Sequence, residues 1–171
     1  MLGSDVYTLS TWQWIPLPRD PVFAFFSDAF NLERITPDLL RFRVLTPAPI
    51  AMRPGTLIDY RLSLRGIPMR WRSQITEWDP PHRFADTQRR GPYREWDHTH
   101  IFEDRDGGTF VHDIVRYRLI GPNLLTRAVN ALLVAPDTRR IFTFRHAALE
   151  RALGLEGRTR SGPVSIERGH L

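Results

Sequence analysis

The sequence predicts an α+β domain in which a curved antiparallel β-sheet wraps around one long C-terminal α-helix. Three observations predict it. Between Leu39 and Tyr117, six short segments of strand character are separated by tight turns alone, which leaves no room for parallel crossovers. Two short helical patterns fall between a first strand and that run. After Gly121-Pro122-Asn123 the pattern turns helical, and its last segment is the one element long enough to cover an apolar sheet face.

The elements follow in order. Residues 6–15 are rich in β-branched and aromatic types and read as a strand, ended by Pro16 and Pro18. Asp20-Pro21 reads as an N-cap followed by proline in the first turn, and Val22, Phe25, Phe26 and Ala29 carry a short helix at helical spacing. Asn31 caps a second one to Ile35, stopped by Thr36-Pro37. Strands are expected over 42–46, 56–64, 69–78, 83–90, 94–103 and 109–119. Residues 124–134 are nearly apolar, and Pro136 is expected to break or kink that helix. Asp137 caps a longer helix to Leu153, closed by Gly154. Residues 1–153 then form one domain, and the polar, Gly-rich stretch 154–171 is expected to be a disordered tail.

Composition narrows the function classes. A chain of 171 residues buries roughly 70% of its unfolded surface. The absence of cysteine excludes thiolate chemistry and cysteine-ligated metal. No segment approaches about 18 continuous apolar residues, so no membrane span is expected. With no signal-peptide pattern at the N-terminus, a cytoplasmic protein is expected. The formal charge is +5 and all 24 basic residues are Arg. They are dispersed among acids rather than gathered into a stripe with stacking aromatics, so nucleic acid is not an expected partner.

The most informative stretch is 91–102. Gly91-Pro92-Tyr93 is a turn, and the strand after it sends Trp96, His98, His100 and Phe102 to one face. Two aromatics bracketing two histidines suit the wall of a polar-spotted pocket. A three-residue turn sets Asp86 opposite His98 and Phe84 opposite His100. A two-residue turn would set Asp86 against Asp97, a destabilising pairing of like charges. For the next hairpin an even loop puts Thr109, Val111, Asp113, Val115 and Tyr117 on the face of His98. With a four-residue loop, 104–107, His98 lies between Asp86 and Asp113 across three strands, a register that one residue of slip would destroy.

The element order and certain motifs resemble the helix-grip superfamily of START-related proteins (SRPBCC, polyketide cyclase/dehydrase-like), in a poorly characterised bacterial branch. The residues that carry it are Pro21-Val22-Phe23, Ile35-Thr36-Pro37, Trp71 with Ile75, Phe84-Ala85-Asp86-Thr87-Gln88, Gly91-Pro92-Tyr93, the Trp96–His98–His100–Phe102 alternation, Gly108-Thr109 leading to Asp113, and Ile141-Phe142 with Phe144-Arg145. The resemblance implies a cavity between the concave sheet face and the C-terminal helix. The superfamily includes lipid carriers, receptors, cyclases and proteins with no assigned activity, so the fold alone names no function.

The site expected from these readings is a ligand cavity bounded by Trp71, Gln88, Trp96, His98, His100, Phe102, Asp113, Tyr117 and Arg145. Its polar row can be a buried network, a set of directional ligand contacts, or a general acid/base centre at His98 with Asp86 or Asp113. His-x-His with a carboxylate can also chelate zinc, but without clustered cysteine or further histidine no metal or other cofactor is expected. Arg145 faces the sheet if Phe144 and Ala148 do. Buried there, it needs an anion: Asp113, Asp86 or a ligand carboxylate. The more ordinary outcome is that it reaches the rim and snorkels. His82, His112, His146 and His170 are expected at the surface. The function expected is non-enzymatic binding of a small apolar or amphipathic molecule. The alternatives are a cyclase/dehydratase-type enzyme using His98, and an interaction module without a true cavity, acting through its surface or the 124–134 helix.

Overall fold

The computed structural model describes residues 5–170. Its elements run β1 (Asp5–Ile15), α1 (Arg19–Ser27), α2 (Asn31–Arg34), a 3-10 turn (Asp38–Leu40), β2 (Arg43–Val44), β3 (Leu57–Leu64), β4 (Ile67–Asp79), β5 (Arg83–Arg90), β6 (Glu95–Arg105), β7 (Gly108–Arg118), α3 (Asn123–Val129), α4 (Ala135–Leu153), β8 (Arg160–Ser161) and β9 (Ser165–His170). The sheet order is β2-β3-β4-β5-β6-β7-β1-β8, with β9 also on β1, and every pairing is antiparallel. Irregularities in the β4–β5 ladder, between Arg72 and Ser73 and between Ile75 and Glu77, add curvature to the sheet. The expected α+β architecture, a curved sheet around a long C-terminal helix, is what forms.

Alternation in β1 explains its central place. Tyr7, Leu9, Thr11, Gln13 and Ile15 are buried on one face, and the chain pairs with β7 on one side and with β8 and β9 on the other. The stretch expected to be a disordered tail is therefore partly strand. Its polar composition hid this, because β9 is held largely by backbone ladder bonds, for which side-chain polarity is no obstacle. The Ser10–Ser165 hydroxyl pair, 2.7 Å, adds a side-chain contact.

Two further expectations are corrected. Pro136 does not break the helix. Residues Asn130–Val134 adopt a π-helical turn that joins α3 to α4, which accommodates a residue with no N–H and a ring that crowds the preceding turn. Asn130 is held in this turn by the Tyr117 hydroxyl, which donates to its Oδ1 at 2.8 Å. At the other end of the chain, α1 starts at Arg19 rather than after an Asp20 cap, so Asp20 lies in its first turn and makes no capping bond.

The β6–β7 hairpin also differs from the expected four-residue loop. Arg105 pairs with Gly108, so the loop is Asp106-Gly107, with φ of 53° and 72°. Two consecutive positive φ values are the mark of a type I′ turn, and Asp-Gly is a preferred pair for it. Loop length stays even, so each face is as expected. The register moves by two residues: Asp113 stands opposite His100, and His98 opposite Val115.

One half of the concave face is solidly filled. Ile15, Val22, Phe23, Phe84, Phe102, Val111 and Leu149 pack there beneath α1 and the end of α4. Phe23 meets Phe84 and Phe102 edge-on, at 5.7 and 5.1 Å between centroids. Over β3 and β4 the same face is left hollow.

Candidate functional site

The hollow measures about 200 Å³ and is partly open to solvent. Its floor is built by strand alternation: Ile58, Tyr60, Leu62 and Leu64 from β3, Met69, Trp71, Ser73 and Ile75 from β4, Phe84 and Asp86 from β5, and Trp96, His98 and His100 from β6. Its roof is Thr138, Ile141, Phe142 and Arg145, one face of α4. Phe25, Phe26 and Leu32 close it on the α1–α2 side. Near its rim, Trp71, Tyr93 and Trp96 form an aromatic corner with centroid separations of 4.6 to 5.8 Å.

The polar row lies along β5, β6 and β7. Asp86 stands opposite His98 and Phe84 opposite His100, as the three-residue turn requires. His98 Nε2 donates to Asp113 Oδ1 at 3.0 Å. His100 Nδ1 lies 2.7 Å from the same oxygen but makes no well-directed hydrogen bond to it. Asp113 thus serves both histidines, reaching His98 diagonally despite the shifted register.

Electrostatics assign the protons. Burial alone would raise the Asp113 pKa, but His100 and His98 outweigh it and hold the carboxyl well below the usual 3.8. Burial pushes His100 below its ordinary 6.5, the adjacent His98 adds to this, and Asp113 only partly opposes it. Asp113 is therefore the fixed anion and His100 favours its neutral form. The hydroxyls of Tyr60 and Tyr93 are raised by burial and stay protonated.

Of the residues the sequence singled out, Trp71, Asp86, Trp96, His98, His100 and Arg145 line the hollow. Four expected neighbours stand elsewhere. Asp113 lies behind the histidines as their partner. Phe102 belongs to the filled half, and Tyr117 is fully buried on Asn130. Gln88 folds back onto its own turn, where its Nε2 donates to the Tyr93 carbonyl at 2.8 Å. His146 is not a surface residue: burial lowers its pKa, and its Nε2 is 3.3 Å from the Thr11 hydroxyl. His82 and His112 do have partners, Arg19 and Glu103. Tyr60, Leu62 and Ile141 also line the hollow, outside the expected set, although the period-two run Ile58-Tyr60-Leu62-Leu64 is a visible sign of the first two.

A metal could be held by the Asp86 carboxylate and one ring nitrogen each of His98 and His100, whose ligand atoms lie within 4.8 Å of one another. Tetrahedral zinc with bonds near 2.1 Å wants ligand atoms about 3.4 Å apart, so these side chains would have to close in. Asp113 would orient His98 from behind. Against a metal stands Arg145, a cation lining the same space.

Residues 15–142 match the family described as polyketide cyclase / dehydrase and lipid transport. The chain belongs to that family, and its fold is the helix grip. No curated protein matches it. Among solved structures, ginseng major latex-like protein 151 from Panax ginseng superposes with a TM-score of 0.63 at 12% identity, over 86% of this chain and 97% of that one. Protein Ms6760 from Mycobacterium smegmatis gives 0.62 at 18% identity, over 86% and 90%. TTHA0849 from Thermus thermophilus gives 0.58 at 21%, over 85% and 98%. At these identities the likeness is one of fold. Among the described residues no helix is long and apolar enough to cross a membrane.

Proposed function

We propose that the protein binds a compact apolar or amphipathic molecule in the hollow between its sheet and α4, without covalent chemistry. The observation that carries this is the hollow itself: aliphatic and aromatic walls with a few convergent polar groups at one end, the usual make-up of a small-molecule site. A cavity near 150 Å³ holds a single benzene ring, so about 200 Å³ has room for one or two rings. The family's description as cyclase, dehydrase and lipid transport agrees with a ligand-holding scaffold and leaves the ligand open.

Calorimetric titration with 2-naphthamide, a neutral two-ring probe, tests this. Saturable binding that is lost in Leu62→Trp, a variant that fills the hollow, is the expected result. Absence of binding to the unaltered protein both of this probe and of its carboxylate analogue, 2-naphthoate, sinks the reading.

One observation favours a second reading, general acid/base chemistry of the cyclase/dehydratase type. His98 is braced by Asp113 through Nε2, which leaves Nδ1 as the nitrogen able to take a substrate proton. If His98→Gln leaves turnover of a candidate hydratable or cyclisable substrate unchanged, catalysis at this residue is excluded.

A further inference from the structure

We propose that the natural occupant of the hollow carries a carboxylate on its apolar body and that Arg145 receives it. This rests on the reading of the hollow as a ligand cavity. Arg145 projects from α4 into the lining, with its guanidinium carbon 4.6 Å from the centroid of the Phe142 ring. Its Nε is sealed from solvent and has no hydrogen-bond partner among the described residues.

The acids that could serve it do not. Asp86 and Asp113 act on Arg145 at a distance, yet neither forms an ion pair with it among the described residues. Asp113 is engaged by His98 and His100. Other arginines of this chain show what a satisfied fork looks like. Arg65 holds Asp137, Arg72 holds Asp59 and Arg127 holds Asp5, each through two nitrogens at 2.6 to 3.2 Å. Those arginines are about half exposed, where a pair contributes least. Arg145, whose Nε is sealed from solvent, pairs with no carboxylate among the described residues. A guanidinium cannot shed its proton to escape the cost of burial, and its planar donor set matches a carboxylate in two contacts.

The other titratable groups around Arg145 set the limits. His98, His100 and His146 are near it. Asp86 faces the same space and opposes an anion. A carboxylate at Arg145 leaves the ligand's ring system against the aliphatic floor of β3 and β4.

The test compares 2-naphthoate with 2-naphthamide by calorimetry near neutral pH. The naphthoate is expected to bind about tenfold more tightly, the gain of a charge-assisted contact. Arg145→Met should erase that preference while still binding the amide, and Asp86→Asn should strengthen naphthoate binding. Equal affinity for the two probes in the unaltered protein overturns the assignment of Arg145 and leaves the cavity reading standing. Failure of both probes to bind removes both. The comparison in the unaltered protein is decisive even if Arg145→Met fails to fold.

Discussion

The two halves of the concave face are made by the same rule and end differently. Both are strand faces of alternating inward residues, and both lie under helices. Beneath α1, the rings of Phe23, Phe84 and Phe102 interlock with Val22, Val111 and Leu149 and leave no room. Over β3 and β4, Leu62, Met69 and Trp71 face Ile141 and Phe142 across a gap. The boundary between the halves is the row Asp86, His98, His100 and Asp113. His100 sits on it, stacked on Phe84 at 4.3 Å and tilted against His98 at 4.0 Å. A packed region that stabilises and a hollow region are thus separated by buried charge.

Substitutions should separate the halves most strongly in stability. Phe102→Ala, in the filled half, is expected to cost about 3–5 kcal/mol through lost transfer energy and a new cavity. Leu62→Ala enlarges a space already present and should cost no more than about 1–2 kcal/mol, since a half-buried side chain loses less on truncation. Chemical denaturation with both variants measures the difference; equal losses would mean that the hollow is packed in solution.

The boundary comes next. Asp113→Ala strands the His98 donor and removes the anion beside His100, at an expected cost of about 1–3 kcal/mol. Asp113→Asn, which keeps an acceptor for His98, should recover part of this by the same measurement.

The pH dependence is smaller. His100 has its folded pKa below its unfolded value of 6.5, so the unfolded chain takes up a proton that the folded chain resists. Stability should be level above that value and fall as pH drops through it, by at most about 1.4 kcal/mol per pH unit for one proton. The lowered Asp113 pKa adds a second loss below 3.8. Thermal unfolding from pH 7.5 down to 5 should show the first slope, and His100→Gln should reduce it, leaving the part that His146, also lowered by burial, contributes. The smallest effect is expected from Arg65→Ala. Its pair with Asp137 ties the β3–β4 turn to α4, but the residue is half exposed, so less than about 1 kcal/mol should be lost.

Much of this arrangement was legible in residues. The clash of Asp86 with Asp97 selected the three-residue turn and with it the pairing of Asp86 with His98. The next hairpin was legible too, because Asp106-Gly107 is a strong turn signal, but counting a longer loop put Asp113 two residues away from its observed partner. Parity survived that slip, which is why the faces were right. Other features leave no local trace. Gln88 alternates onto the cavity face, yet its amide finds the Tyr93 backbone first. The polar stretch 165–170 becomes a strand because β1 offers a free edge. The sequence puts Arg145 on the sheet side only if Phe144 and Ala148 face it, and Phe144 proves exposed. The packing is what brings Arg145 into the lining, with no ion pair to Asp86 or Asp113 among the described residues.

The central claim is that one half of the face can be occupied and the other cannot. Methyl NMR during titration with 2-naphthamide tests it most directly, since a bound ring shifts the methyls it covers. The shifts should fall on Ile58, Leu62, Met69 and Ile75, leaving Ile15, Val111 and Leu149 unmoved. Shifts spread evenly over both groups, or absent from both, would contradict the account.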